Sequence, residues 1–263
     1  MGLTFGQTVL WYSAFSLEVL VCALAVRRRL YVHLPIFTVY LFLLIVRAIF
    51  IYIVYSTIGY ASHFAFYSYW ISEGILLSAR GASIGELIWN ASRGYAGLRA
   101  ILKWVLAVIT SLLLIQASSA AMAQASRIPS FVLTLEQSLE LAAAVALVVL
   151  LAFSRFYEVP LQRVQTLLAT GLLFYSLVQV ANNAISKYGM ESHFHWWEGV
   201  RSTSFSVALL IWLIGLAKPL KEETEGAVQV PDVQGTRNLM RQGLQLLREL
   251  FERLHRFNSE THR

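Results

Sequence analysis

The stretch YWISEGILLSARGASIGELIWN, residues 69–90, reads as a membrane-crossing helix interrupted by three charges, Glu73, Arg80 and Glu86. A helix needs about 20 mostly apolar residues to cross the hydrocarbon core. Seven stretches reach that length, at 7–26, 34–56, 64–89, 98–118, 133–154, 162–183 and 196–217, and the quoted one is the least apolar of them. Closed barrels are built from short alternating strands, so long continuous apolar runs specify helices. The expected fold is all-α. It comprises an integral membrane seven-helix bundle over 1–218, a flexible linker over 219–234 and a cytoplasmic amphipathic helix over 235–258.

Composition leads to the same place. The chain has 263 residues, of which 57% are hydrophobic and 14% charged, where a soluble domain carries about 25% charged residues. Its mean hydropathy is +0.60. Lipid is therefore the solvent for much of its surface. The net charge of +6 does not point to nucleic acid, because most of the basic residues lie at the ends of apolar runs or in the tail, where membrane topology accounts for them. The single cysteine, Cys22, excludes an internal disulfide framework.

Loop charge sets the orientation. The first loop carries Arg27, Arg28 and Arg29, the third Arg93, Arg99 and Lys103, and the fifth Arg155 and Arg163. The segment before span one and the second loop have no Lys or Arg, while the fourth and sixth have only Arg127 and Lys187. Basic loops stay cytoplasmic, so the N-terminus is expected outside and the C-terminus inside. An odd number of spans requires the same thing. Span one has no basic residues before its apolar stretch and a cluster after it, the pattern of a retained anchor rather than a signal peptide.

At about 1.5 Å of rise per residue, Glu18, Arg47 and Glu73 fall near mid-bilayer. An unpaired charge there costs at least ~2.5–3.5 kcal/mol, so such groups turn inward and pair. Arg47 is expected to pair with Glu73 or Glu18. Glu73 and Arg80 are two helical turns apart and share a face with Leu76 and Leu77. These residues make either an ion pair locking three helices together or a polar ligand pocket or proton-coupled site. Glu86, at the cytoplasmic end, is expected to be solvated or paired with Arg93 or Arg99. Gly74, Ser78 and Ala82, with Gly81 and Gly85, permit close helix approach, which makes the third span the expected centre of the bundle.

A second polar group is expected toward the outer side. Glu136 and Glu140 share a face of span five, Gln179, Asn182 and Asn183 end span six, and Glu198 and Arg201 begin span seven. With Tyr52, Tyr55, Tyr60, Tyr67 and Tyr69 they line an outward-opening cavity or, alternatively, form an aromatic interface belt with polar helix ends. His63, His193 and His195 on outer loops are the candidate metal ligands, although histidines beside Trp196 and Trp197 more often belong to the interface. No cofactor is identified. Covalent retinal requires a lysine in the middle of span seven, and SFSVALLIWLIGLAK (204–218) offers only Lys218 at its end. No nucleotide-binding glycine loop, G-x-S-x-G elbow or H-E-x-x-H motif occurs. Internal inverted repeats, which favour a transporter, are not seen.

In the tail, Leu239, Met240, Leu244, Leu247, Leu250, Phe251 and Leu254 recur at helical spacing beside Arg237, Arg241, Arg248, Arg253 and Arg256. A basic amphipathic helix lies on the inner leaflet, folds back on its own bundle, or offers Leu244, Leu247, Phe251 and Leu254 to a protein partner. No kinase-sized or cyclase-sized output domain follows, so any signal is expected to pass through a separate partner.

The runs YSYWISEGILLSARGASIGELIWNASRGYAGLR (67–99), LTLEQSLELAAAVALVVLLAFSRFY (133–157) and SVALLIWLIGL (206–216) resemble a group of bacterial seven-helix membrane proteins that have no established activity. The Tyr-Trp-x-x-Glu start, Glu86-Leu-Ile, Gly97-Leu98-Arg99 and Leu135-Glu136 carry the likeness. It implies a bacterial cytoplasmic membrane address and a single bundle, and it marks Glu73, Glu86, Arg99 and Glu136 for testing. The expected function is a non-enzymatic, sensor-like or accessory subunit coupling an outer cue to a cytoplasmic partner. A small transporter or channel using Glu18, Arg47 and Glu73 is the alternative, and an intramembrane lipid-modifying enzyme the third. The bilayer is the expected surrounding, and homo-oligomerisation is left open.

Overall fold

The computed structural model of the chain describes residues 5–92, 96–123, 127–156, 161–187 and 194–217. The linker at 219–234 and the tail helix with Leu244, Leu247, Phe251 and Leu254 lie outside the described residues. The described chain is helical throughout, as α1 (Phe5–Arg27), α2 (Leu30–His33), α3 (Pro35–Thr57), α4 (His63–Ala91), α5 (Ala96–Met122), α6 (Arg127–Phe156), α7 (Arg163–Lys187) and α8 (Phe194–Ala217). Each expected apolar run is one long helix, most of them a few residues longer than hydropathy alone marked. The short α2 was not expected. Five helices are long and apolar enough to cross a membrane: Pro35–Thr57, Leu102–Met122, Arg127–Ala152, Arg163–Ala184 and Gly199–Ala217.

The start of α3 explains one of the charges in the opening stretch. Pro35 occupies the first turn, where its missing N–H costs nothing. The next two backbone N–H groups, of Ile36 and Phe37, donate to the two carboxylate oxygens of Glu86 on α4 at 3.1 and 2.9 Å. Glu86 is thus neither solvated nor paired with Arg99, as expected above. It caps α3 in trans, where a carboxylate satisfies orphan donors and meets the positive end of the helix dipole. One turn on, Asn90 donates from Nδ2 to the carbonyl of His33 at 3.0 Å, so the end of α4 holds the α2–α3 corner. Arg99 lies instead over the ring of Trp89, 5.4 Å from its centroid. Arg93 lies outside the described residues.

α4 packs on α3 and α6 and also touches α5 and α7. α1 packs on α3 and α8, α8 on α7 and α7 on α6, so α4 completes a closed ring between α3 and α6 rather than standing at its centre as expected. Close approach to α6 uses only part of the small-residue pattern. A Cβ on Gly81 would lie 3.3 Å from Leu139 Cδ1 and one on Gly74 3.4 Å from Val132 Cγ2, whereas one on Gly85 would meet nothing within 4 Å. Ser78 and Ala82 are exposed.

One half of the bundle is filled by apolar side chains. Val21 and Ala25 of α1, Phe37 and Leu41 of α3, Leu168 and Leu172 of α7, and Leu209 and Trp212 of α8 are all at most 1% exposed. Phe37 meets Trp212 edge-on at 5.2 Å, the favoured aromatic geometry. The Trp212 indole N–H donates to the Leu168 carbonyl at 3.2 Å, so this large side chain is fixed at both its apolar and polar ends. It lies flat against Gly171, where a Cβ would sit 2.8 Å from Trp212 Cδ1. At the same end of the bundle Arg28 Nη2 donates to the Ala217 carbonyl at 3.0 Å, a cation on the negative end of α8.

Because Trp212 has no free space to move into, Gly171→Ala is expected to destabilise the bundle by about 1–3 kcal/mol through overpacking. Thermal unfolding of detergent-purified protein would record this as a lowered midpoint. An unchanged midpoint would mean that α7 and α8 approach less closely than described.

Candidate functional site

Each helix around the apolar plug changes character within a few turns. Glu18 precedes Val21 on α1, Arg47 and Tyr52 follow Leu41 on α3, and Glu73 and Arg80 precede Ile84 on α4. Tyr175 follows Leu172 on α7, and Arg201 precedes Leu209 on α8. All of these polar residues line one cavity of about 640 Å³. The polar segments of five helices therefore gather at one end of the bundle and the apolar segments at the other. Trp11, Tyr12, Tyr55, Tyr69 and Phe205 complete most of the wall, and Tyr60 in the α3–α4 connection extends it to the end of the bundle.

The charges form a chain of four and a separate pair. Arg47 pairs with Glu73. Arg201 Nη2 lies 2.6 Å from Glu136 Oε1 and 3.6 Å from Glu73 Oε1. Arg80 pairs with Glu140, in the most deeply buried of these contacts, with side chains only 7% and 1% exposed. Aromatic faces supply further contacts. The Arg47 guanidinium lies 5.3 Å from the Tyr69 centroid and that of Arg80 5.0 Å from Tyr175, distances at which the ring quadrupole attracts a cation. The buried Oε2 of Glu18 has no hydrogen-bond partner among the described residues.

The two polar groups that the sequence placed apart are therefore one. Glu73 joins them by pairing with Arg47 on one side and facing Arg201 on the other. Arg47 takes Glu73 rather than Glu18. Glu136 and Glu140 share a helix face as expected, yet they do not line the cavity; they stand behind its wall, each held by a different arginine. Gln179 and Asn182 are buried on α7, outside the lining. Four of the five tyrosines singled out, Tyr52, Tyr55, Tyr60 and Tyr69, are in the wall. Tyr67 is not, for it is 47% exposed on the outside of α4.

His63 is exposed at the start of α4, His193 lies outside the described residues, and the side chain of His195 is likewise not described. Among the described residues no group of three His, Cys, Asp or Glu is placed to hold a metal ion.

Sequence reasoning missed the partner of Arg80 and the contributions of Trp11, Tyr40, Tyr175 and Phe205. The first had a usable signal. A third deep guanidinium demands a carboxylate at matching depth, which narrowed the partner of Arg80 to Glu18, Glu136 or Glu140. The aromatic residues had none, since in an apolar helix they look like any other core or lipid-facing ring.

Comparison with family models, curated proteins and solved structures returns no match, so the site is read from its own geometry.

Removing one partner of a buried pair strands the other charge and costs about 3–5 kcal/mol, whereas replacing both by apolar groups is near neutral. Arg80→Met is accordingly expected to lower the unfolding midpoint sharply, and adding Glu140→Leu to restore most of it. Equal midpoints for the single and double variants would show that the two residues are not coupled.

Proposed function

We propose that the chain is a seven-helix protein of the bacterial cytoplasmic membrane, with its N-terminus outside and its C-terminus inside. It works as a non-enzymatic sensor-like subunit. A small ligand enters the cavity from the outer side, and its presence is passed to a cytoplasmic partner through the tail at 235–258.

The observation that carries this reading is the division of the bundle into a polar cavity and a packed plug. A channel or carrier needs a polar route across the membrane, and the plug around Phe37, Leu172 and Trp212 leaves those side chains at most 1% exposed. Binding without passage fits such a wall better than transport does. The cavity volume of about 640 Å³ lies within the ~300–1,000 Å³ usual for small-molecule sites. Catalysis finds less support, because Glu136 is engaged by Arg201 and Glu140 by Arg80, which leaves Glu18 as a single unpaired carboxylate in the cavity with no second free acid or base beside it among the described residues.

Counting α4 as a span is supported by how its charges are satisfied, and counting α1 by its place between α3 and α8. α4 carries Glu73, Arg80 and Glu86, and each has a partner within the bundle. A helix whose charges all turn inward is compatible with lipid on its other face. α1 closes the ring between α3 and α8, a position that requires it to run the same depth as its neighbours. The bacterial address rests on the resemblance noted above, and the orientation on the loop charges.

Two measurements test the proposal. In a Cys22→Ala background, Ala61→Cys is expected to react with a membrane-impermeant maleimide on intact cells, and Tyr31→Cys only after permeabilisation. The opposite pattern would reverse the orientation. In cells, a chain ending at residue 234 is expected to reproduce the transcript changes caused by deleting the whole gene. Full function without the tail would remove the signalling role.

A further inference from the structure

We infer that the cavity takes a monovalent organic cation, an ammonium group held against the Glu18 carboxylate by tyrosine and tryptophan rings. This rests on the reading of the cavity as a binding site and adds the chemistry of the ligand.

The argument begins with charge. Among the described residues the cavity and the network behind it contain three arginines, Arg47, Arg80 and Arg201, and four glutamates, Glu18, Glu73, Glu136 and Glu140. Three of the glutamates are matched by the three arginines. The remainder is Glu18, which when ionised is a single negative charge without an arginine of its own, its buried Oε2 lacking a hydrogen-bond partner among the described residues. Arg47, whose field reaches Glu18, is already engaged by Glu73. In a bilayer-embedded site an unmatched charge is costly, and a ligand bearing one positive charge removes the cost. An anionic ligand would double the imbalance, and the arginines that might receive it are each engaged by a carboxylate.

The wall agrees with the charge count. Trp11 of α1 stacks on Tyr52 of α3 at 5.6 Å, and Tyr55 meets Tyr60 in a tilted contact at 4.1 Å. These four rings line the same cavity as Glu18. Aromatic faces sharing a cavity with a carboxylate supply the recognition chemistry of substituted ammonium ions, for which the ring quadrupole replaces water at little desolvation cost. A metal cation would be poorly served, since one carboxylate and several phenols supply too few hard oxygen ligands.

The test uses the full chain in lipid nanodiscs, with benzyltrimethylammonium as the cationic probe and phenylacetate as the anionic one, both followed by tryptophan fluorescence and calorimetry. Saturable binding of the cation and none of the anion is expected. Glu18→Gln is expected to weaken cation binding at least about tenfold, equivalent to ~1.4 kcal/mol, while melting no lower than the parent. Should Glu18→Gln fail to fold, Tyr52→Leu asks the same question by removing a ring, and it too is expected to weaken cation binding. The inference is overturned if phenylacetate binds instead, if both variants bind the cation as the parent does, or if the folded parent binds no cation. In the last case a proton supplies the missing positive charge. Cation binding can fail while tail deletion still alters transcripts, which would leave the sensor reading standing. Conversely, saturable binding accompanied by flux of the cation across sealed vesicles would keep the ligand class and overturn the sensor.

Discussion

A charge inside a bilayer has no water to fall back on, and the arrangement of this bundle follows from how its charges are matched. Arg47 and Glu73 tie α3 to α4, Arg80 and Glu140 tie α4 to α6, and Arg201 ties α8 to both Glu136 on α6 and Glu73 on α4. Four helices are fixed in depth and rotation by three guanidiniums. Apolar contacts alone do this poorly in lipid, because acyl chains are as apolar as leucine and helix association gains little from leaving them. Sliding α4 by one turn would strand Arg80 and Glu73 together. The network therefore works as a register device as much as a source of stability. An apolar replacement of equal shape is often as stable but would not carry that positional information.

The same matching explains why α4 is only moderately apolar. Its three charges are satisfied from two neighbouring helices, by Arg47 and the N-terminal N–H groups of α3 and by Glu140 on α6. Its other face is apolar, with Phe64, Ile71 and Ile75 more than half exposed. α5 is the opposite case. It packs chiefly on α6 and leaves Trp104, Leu112 and Ile115 at least 60% exposed in the absence of surrounding lipid, as expected of a helix with one protein neighbour. Polarity and position vary together along the chain for this reason.

How far the sequence discloses this depends on whether the deciding interaction is local. Long apolar runs are a property of single segments, and all seven are helices. The Arg47–Glu73 pair was legible because both residues sit at the same depth on neighbouring spans. Glu86 was misread because its partner is a helix N-terminus, a backbone feature that no residue letter announces; Pro35 was the available hint, since proline favours the first turn and the donors just beyond it need an acceptor. The union of the two polar groups was missed for a different reason. It depends on which helices are neighbours across the ring, and pairing distances between α4, α6 and α8 are not encoded in spacing along any one of them. Tyr67 shows the limit on the other side: it is one of several tyrosines near the same bundle end, and rotation about the helix axis puts Tyr69 in the wall and Tyr67 outside it.

A bundle divided into a wet half and a dry half has two ends with different tasks. Events in the cavity touch α1, α3, α4, α7 and α8 at once, so an occupant that favours one arrangement of these helices over another shifts the balance between them by its differential affinity. The dry half resists gradual deformation, since close-packed side chains such as Trp212 against Gly171 and Phe37 have no space for small adjustments. Under the proposed sensor role, α8 is the helix that joins the cavity to the packed half. It contributes Arg201 to the network, Trp212 to the plug and, at Ala217, a terminus fastened to Arg28 of α1, immediately before the segment that leads into the tail.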